Sequence, residues 1–383
     1  GTGAGTGRGD NQEMREAKVV ALLKKYDFSF FAIALIIFSI GLINLYSAVH
    51  SSTKIELSNL YMMQLFWFSF SIVIGLVVSF IHPKLFFRLS YLAYAVNILL
   101  LLLVLFLGHQ GMGAQRWLVV GAIRMQPSEF MKISVVLALA RWFIRSNPDS
   151  ELGIKNLFIP FLIAFVPALL IIAEPDLGTG LLILLVFFVM AFYRRLRWKS
   201  IFVVAIIGLL SGSLLYKFGL KRYQQQRIYT FLNPAADSKG MGYNAIQSKI
   251  AIGSGQFFGK GILKSSQASL NYLPENHTDF VFSVFNEEHG FFGSVILIAL
   301  YLALFFRFIW LATSVPKFFN ALVAIGLMSI FFWHTLINMG MVMGLLPIVG
   351  LPLPLMSYGG SSLLTFCVCC GMATSISNSR NIF

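Results

Sequence analysis

At 383 residues, with 57% hydrophobic and only 11% charged positions, and with a mean hydropathy of +0.79, the chain is too apolar for a water-soluble globular protein. Lipid must be the solvent for most of it. The formal net charge of +14 would suggest nucleic acid in a soluble protein, but here the cations sit in short loops between apolar runs, which topology explains.

Residues 1–12, opening GTGAGTGRGD, read as an expression scar or a disordered N-terminus, and 13–383 as one transmembrane domain. No short apolar segment is followed by a small-residue cleavage site, so the first apolar run is expected to be an uncleaved anchor. Runs of membrane-crossing length predict spans at 28–49, 60–81, 85–108, 128–145, 156–173, 177–193, 199–219, 290–312, 319–346 and 361–377. The expected fold is an all-α polytopic membrane protein of about ten transmembrane helices, with a large extracytoplasmic loop at 220–289 between the seventh and the eighth. Loops on one side carry Lys24, Lys25, Lys84, Arg141, Arg145, Arg194, Arg195, Arg197, Lys199, Lys317 and Arg380, whereas the short loops opposite carry Lys54, Arg116 and Arg124. The positive-inside rule then puts both termini in the cytoplasm, and Tyr26, Trp142, Tyr193, Trp198 and Tyr216 fall at the headgroup layer. Cys367, Cys369 and Cys370 lie in the last apolar run and read as small packing residues.

Three stretches do not fit a simple bundle, and all fall on the outer side of this topology. Residues 109–127 are too polar to span and too short for a domain. Residues 220–289 far exceed ordinary loop length and are expected to be functional. Between Pro347 and Gly360, three prolines and paired glycines suggest a broken or re-entrant segment, which is tolerated where it is buried in protein or lines a wet cavity.

In QRWLVVGAIRMQPSEFMK, Ser128 can cap the fourth helix, and Glu129 and Lys132 share one helix face. They either pair for structure or mark a cavity, since ionisable groups within a span are costly. Arg116 either snorkels to headgroups or holds a phosphate by bidentate hydrogen bonds. In EPDLGTG, Glu174 and Asp176 stand at the N-terminus of the sixth helix, where capping alone explains them.

The long loop holds five glycines between Gly242 and Gly261, which permit close approach to a ligand or mark surface turns. Lys249 and Lys260 can steer an anionic head group. Glu275, His277, Asp279, Glu287 and Glu288 then cluster within fourteen positions, and the chain turns apolar immediately after Asp279. An acid at such a wet–dry boundary can act as a general base near neutral pH, where an ordinary Asp of pKa about 3.9 is feeble. A solvated acidic turn is the plain alternative.

Taken in order, QRWLVVGAIRMQPSEFMK, EPDLGTG, FLNPAADSKGMGYNAIQSKIAIGSG, LPENHTDFVFSVFNEE and NMGMVMGLLPIVGLPLPLMSYGGSS resemble the SEDS proteins of bacteria, membrane glycosyltransferases that polymerise lipid II into peptidoglycan. The resemblance covers nearly the whole chain. The stretch YDFSFFAIALIIFSIGLINLYSA and the EPDLGTG wording are more similar to RodA, the elongation member, than to FtsW, the division member. It implies that Asp279 is the catalytic acid of the large extracytoplasmic loop, that Arg116, Glu129 and Lys132 belong to a central polar cavity, and that Asp176 begins the sixth helix. It also implies a class B penicillin-binding protein as partner. The chain departs from the family pattern at Lys264, Ser265, Ser266, Asn286 and His289, which flank Asp279 in sequence.

The expected reaction transfers a glycan to the acceptor GlcNAc 4-hydroxyl with inversion and loss of undecaprenyl diphosphate, Asp279 taking the proton. Arg116, Lys132 and Lys249 would face the departing charge, with Lys260 and His277 among the substrate contacts. A divalent cation such as Mg or Mn can bridge phosphates, but no residues here have recognisable ligand spacing. Two rival classes remain: a flippase that moves lipid II, suggested by the many helices and the proline-broken segment, and a scaffold that recruits cell-wall enzymes.

Overall fold

A computed structural model describes residues 26–51, 59–111, 114–120, 123–145, 151–203, 206, 222–237, 240–269 and 277–380. In chain order the helices are α1 (Ser29–Ser51), α2 (Leu60–Ser79), α3 (Pro83–Leu107), α4 (Pro127–Phe143), α5 (Ile154–Ala173) and α6 (Leu177–Tyr193). They continue with α7 (Arg222–Leu232), α8 (Met241–Ser254), α9 (Ser266–Ser269), α10 (Val281–Ser314), α11 (Phe318–Val342) and α12 (Gly360–Asn378). Seven of these, α1, α2, α3, α5, α10, α11 and α12, are long and apolar enough to cross a membrane, and α6 is a shorter apolar helix. The expected span at 199–219 falls largely outside the described residues.

Because most helices are apolar all round, burial rather than amphipathic pattern sorts centre from periphery. In α12 the most apolar window is 78% buried inside the protein, against 22% in α3, so α12 lies at the centre and α3 presents its side chains to lipid. The central helix α4 buries both Glu129 and Lys132. Close contact of α2 with α12 depends on small residues: a methyl at Gly371 would come 2.2 Å from the carbonyl oxygen of Gly75. Pro167 inside α5 cannot donate to the carbonyl of Ile163, and the Tyr94 hydroxyl fills that role at 3.0 Å.

Three stretches gain detail that the sequence did not give. Residues 109–125 hold a small antiparallel sheet, β1 (His109–Gly111), β2 (Ala114–Val120) and β3 (Ile123–Met125), so the molecule is not purely helical. Leu118 pairs with Met125 and Val119 with Arg124. The long loop contains α7, α8 and α9 together with a 3-10 turn at Pro234–Ala236. The eighth expected span begins earlier than 290, because Val281 to His289 is already helical and Glu287 and Glu288 in it are buried.

At Gly290 (φ 66°) α10 breaks. The break leaves carbonyls on one side and N–H groups on the other without helical partners. The loop after α8 supplies both: the N–H groups of Lys260 and Gly261 donate to Glu287 O and Glu288 O at 3.0 Å, while Gln256 O and Phe257 O accept from Phe291 N and Phe292 N at 2.8 and 3.0 Å. A side chain at position 290 would strike Gly259 N at 2.4 Å, so this mended break requires glycine.

At one end of the bundle Asp27 gathers α1, α10 and α12. It pairs with Arg307, accepts from the Ser377 hydroxyl at 2.6 Å and donates its N–H to Asn378 Oδ1 at 2.9 Å. A second set of buried polar groups, among them Ser47, Glu288 and Ser361, lies at the opposite end of the same helices.

Candidate active site

The centre of that opposite end is the non-helical stretch 343–359, between α11 and α12. Prolines 347, 352 and 354 prevent it from forming a regular ladder. Its carbonyls are held instead by side chains of surrounding helices. Arg227 Nη1 donates to Val349 O at 3.4 Å and Asn338 Nδ2 to Leu351 O at 2.7 Å. The Tyr301 hydroxyl donates to Pro354 O at 2.6 Å and Gln64 Nε2 to Ser357 O at 3.1 Å. Irregular backbone persists inside a membrane protein only when satisfied in this way.

Asp279 lies in the turn 277–280 before α10 and is half-buried. Its carbonyl accepts from Asn338 Nδ2 at 2.9 Å, the same amide that holds Leu351. The Ser357 hydroxyl donates to Thr278 O at 2.6 Å and Tyr358 N to His277 O at 2.9 Å. The turn is therefore stitched to the central stretch on both sides of the acid. The carboxylate itself faces Gly350, where an added methyl would stand 3.3 Å from Asp279 Oδ2. Glu275 falls outside the described residues.

A second chain of polar groups reaches the same stretch from α4. Lys132 Nζ donates to Glu129 Oε2 at 2.9 Å and lies 2.8 Å from His334 Nε2. His334 Nδ1 lies 3.1 Å from Pro352 O. A carbonyl only accepts, so the ring carries its proton on Nδ1 and offers the Nε2 lone pair to the ammonium. Sequence reading missed His334. The signal was an ionisable residue inside an apolar run, the same signal that singled out Glu129 and Lys132.

The α5–α6 turn supplies a third group. Asp176 Oδ1 caps α6 by accepting from Thr179 N at 3.2 Å, and Asp176 Oδ2 accepts from Gln126 Nε2 at 3.3 Å. Arg116 donates to Glu174 O at 3.3 Å and to Pro175 O. A methyl at Gly178, in the first turn of α6, would stand 2.9 Å from Val349 O, so this turn abuts the central stretch. Glu174 is buried at 1% exposure, and neither of its carboxylate oxygens has a hydrogen-bond partner among the described residues. Burial pushes its carboxyl up to about 8; the neighbouring charge of Asp176 adds to the rise and Arg116 opposes it.

Around Glu287 the arrangement is different. Oε1 accepts from Lys260 Nζ at 2.6 Å, Ser266 Oγ at 2.7 Å and Ser266 N at 3.0 Å. Oε2 accepts from Ser265 Oγ at 2.5 Å and Gln267 N at 3.4 Å. Two of the residues that depart from the family pattern, Ser265 and Ser266, are thus partners of a buried carboxylate. Lys260 has a fastening role in this geometry, while Lys249 is exposed on α8. Asn286 Nδ2 donates to Ser294 Oγ at 2.7 Å across the Gly290 break. Among the described residues no group of three or more His, Cys, Asp or Glu stands ready to hold a metal ion.

A polytopic helical bundle with a half-buried acid set against irregular, side-chain-held backbone at one end defines an integral membrane protein with a polar site at its mouth. The chain belongs to the FtsW/RodA/SpoVE family of cell cycle proteins, the SEDS family, whose profile matches residues 27–382. It is 42% identical over 311 residues to the peptidoglycan glycosyltransferase MrdB of Escherichia coli K12, covering 81% of this chain and 84% of that protein. It is 33% identical over 428 residues to the peptidoglycan glycosyltransferase RodA of Treponema pallidum, covering 93% and 98%. Among solved structures it is similar to a chain described under "Structural coordination of polymerization and crosslinking by a peptidoglycan synthase complex", with a TM-score of 0.80, 30% identity and coverage of 94% and 99%. It is also similar to the rod shape determining protein RodA of Thermus thermophilus, with a TM-score of 0.69, 28% identity and coverage of 94% and 98%.

Proposed function

We propose that the chain is a peptidoglycan glycosyltransferase that polymerises lipid II into glycan strands during cell elongation, with Asp279 as catalytic base. The observation that carries this reading is the Asp279 carboxylate against Gly350, on a turn stitched to the central stretch from both sides. Asp279 takes the proton of the acceptor GlcNAc 4-hydroxyl while the oxygen attacks the donor MurNAc anomeric carbon, and undecaprenyl diphosphate departs. An α-linked donor and a β-linked product require one inversion, which needs one base and a stabilised leaving group, without a covalent sugar–enzyme intermediate. Arg116 and Lys249 face the departing negative charge. His277 and Asp176 position the substrate. Glu129 and Lys132, sealed from solvent, act through His334 on the backbone beside the base.

The excess of Lys and Arg in one set of loops supports a bacterial cytoplasmic membrane location, with both termini cytoplasmic and the site facing outward. The likeness to a chain of a peptidoglycan synthase complex that coordinates polymerization and crosslinking supports a class B penicillin-binding protein as partner.

The test is a polymerisation assay on purified protein and lipid II. Asp279→Asn, with unchanged thermal unfolding, is expected to abolish glycan product. Product at the parental rate would remove Asp279 from the mechanism, and lipid II movement without any product from the parental chain would favour a flippase.

A further inference from the structure

At the end of the bundle remote from the site, two arginines are neutralised where they stand: Asp27 pairs with Arg307 and Glu151 with Arg197. Four other cations gather on the neighbouring helices α3 and α4. Lys84 and Arg88 lie in the first turns of α3, and Arg141 and Arg145 at and just beyond the end of α4. None of the four has an ion-pair partner among the described residues. The positive-inside rule accounts for the sign of these charges. It does not account for four of them crowding two adjacent helices with no described carboxylate between them, where each repels the rest.

The two arginines of α4 are held in place. Arg141 Nη1 donates to Phe87 O and Arg88 O at 3.0 Å and to Ser90 Oγ at 3.3 Å. Its guanidinium carbon stands 4.7 Å from the ring centre of Phe87 and 4.5 Å from that of Tyr91. Arg145 stands 4.2 Å from the ring centre of Trp142 and 5.7 Å from that of the same Tyr91. Two guanidinium groups thus converge on one aromatic ring, which orders two otherwise mobile side chains. Lys84 and Arg88, one helical turn apart and exposed, extend the charged shelf along α3. Below it, α3 is the least buried of the seven candidate spans, and Leu85, Leu89 and Leu92 are exposed on it. A cationic shelf continuous with hydrocarbon-facing helix is the arrangement that receives an anionic lipid head group.

We infer that this shelf binds cardiolipin, a structural phospholipid with two phosphates, in the leaflet opposite the site. Its phosphates rest on Lys84, Arg88, Arg141 and Arg145, and its acyl chains run along α3. Four cations match two phosphodiesters, whereas a single phosphodiester would leave most of the charge uncompensated. The length of α4 separates the shelf from Glu129 and the central stretch, so the bound lipid takes no part in the reaction.

The test takes the purified full chain, stripped of lipid in detergent, and measures bound cardiolipin by native mass spectrometry. Phosphatidylglycerol, phosphatidylethanolamine and inorganic phosphate serve as separate competitors. Cardiolipin is expected to bind more tightly than phosphatidylglycerol, and the other two to compete poorly. Arg88→Gln combined with Arg145→Gln is expected to weaken cardiolipin by about tenfold or more. Lys199→Gln combined with Arg380→Gln removes the same charge at the same end of the bundle and should leave binding unchanged. Thermal unfolding of both double variants separates lost binding from lost fold, and Arg88→Gln alone, at an exposed side chain, repeats the test if the first pair does not fold. Unchanged binding in the folded Arg88 and Arg145 variants overturns the site. Equal weakening by the Lys199 and Arg380 pair also overturns it, leaving only diffuse attraction by net charge. Equal affinity for phosphatidylglycerol overturns the two-phosphate assignment, and equal competition by inorganic phosphate overturns the lipid.

Discussion

Glu287 and Glu174 are both buried acids at the same end of the bundle, yet their surroundings are opposite. Glu287 accepts hydrogen bonds from Lys260, Ser265, Ser266 and Gln267, so both of its oxygens are engaged. Glu174 is sealed just as completely and meets no donor at its carboxylate among the described residues. A saturated carboxylate fastens what surrounds it, whereas one buried without donors gives up its charge and holds a proton instead. Burial alone therefore does not separate a structural acid from one kept in reserve; the donors around it do.

The largest test of that contrast is Glu287→Ala. It leaves Lys260 and two hydroxyls facing a void and should lower stability by about 3–5 kcal/mol, read as thermal unfolding in detergent. A loss no larger than that of a surface substitution would mean the donors around Glu287 contribute nothing.

Between the extremes stands Glu129, paired with Lys132. His334→Leu should cut polymerisation about tenfold or more, consistent with the roughly 1–3 kcal/mol cost of orphaning buried partners. His334→Gln, whose amide both donates and accepts, should restore most of the rate without changing substrate affinity. Equal activity of the Leu and Gln variants would reduce His334 to a packing residue.

The smallest effect is expected at Glu174→Gln, which should barely change the unfolding midpoint at low pH. The carboxyl is raised from 4.5 to about 8, so the folded chain keeps a proton that the unfolded chain releases over that interval. Its contribution then falls as pH rises from the lower value toward the upper one, and Glu174→Gln should flatten that part of the stability profile. An unchanged slope would show that Glu174 is ionised in the fold.

Sequence periodicity made the helices legible because each membrane-crossing run is local. The cap at Asp176 and the pairing of Glu129 with Lys132 were legible for the same reason, since both partners lie within one helical turn. What stayed hidden depends on contacts far apart in the chain. Ser265 and Ser266 meet Glu287 only after the loop folds back onto α10, so the acidic cluster kept its plain alternative of a solvated turn. The strands at 114–125 are too short for a periodic signal to stand out beside long apolar runs. Of the candidate site, Asp279 and Lys249 were singled out from sequence, while His334, Asn338 and Arg227, which tie helices to the central stretch, were not.

Arg227, Asn338, Tyr301 and Gln64 hang one irregular stretch from four different helices. None of those helices can slide without tugging the backbone that faces Asp279. A lesion in α2, more than two hundred positions away along the polypeptide, can therefore blunt chemistry it never touches. A molecule wedged between helices far from the sugar has the same lever at its disposal.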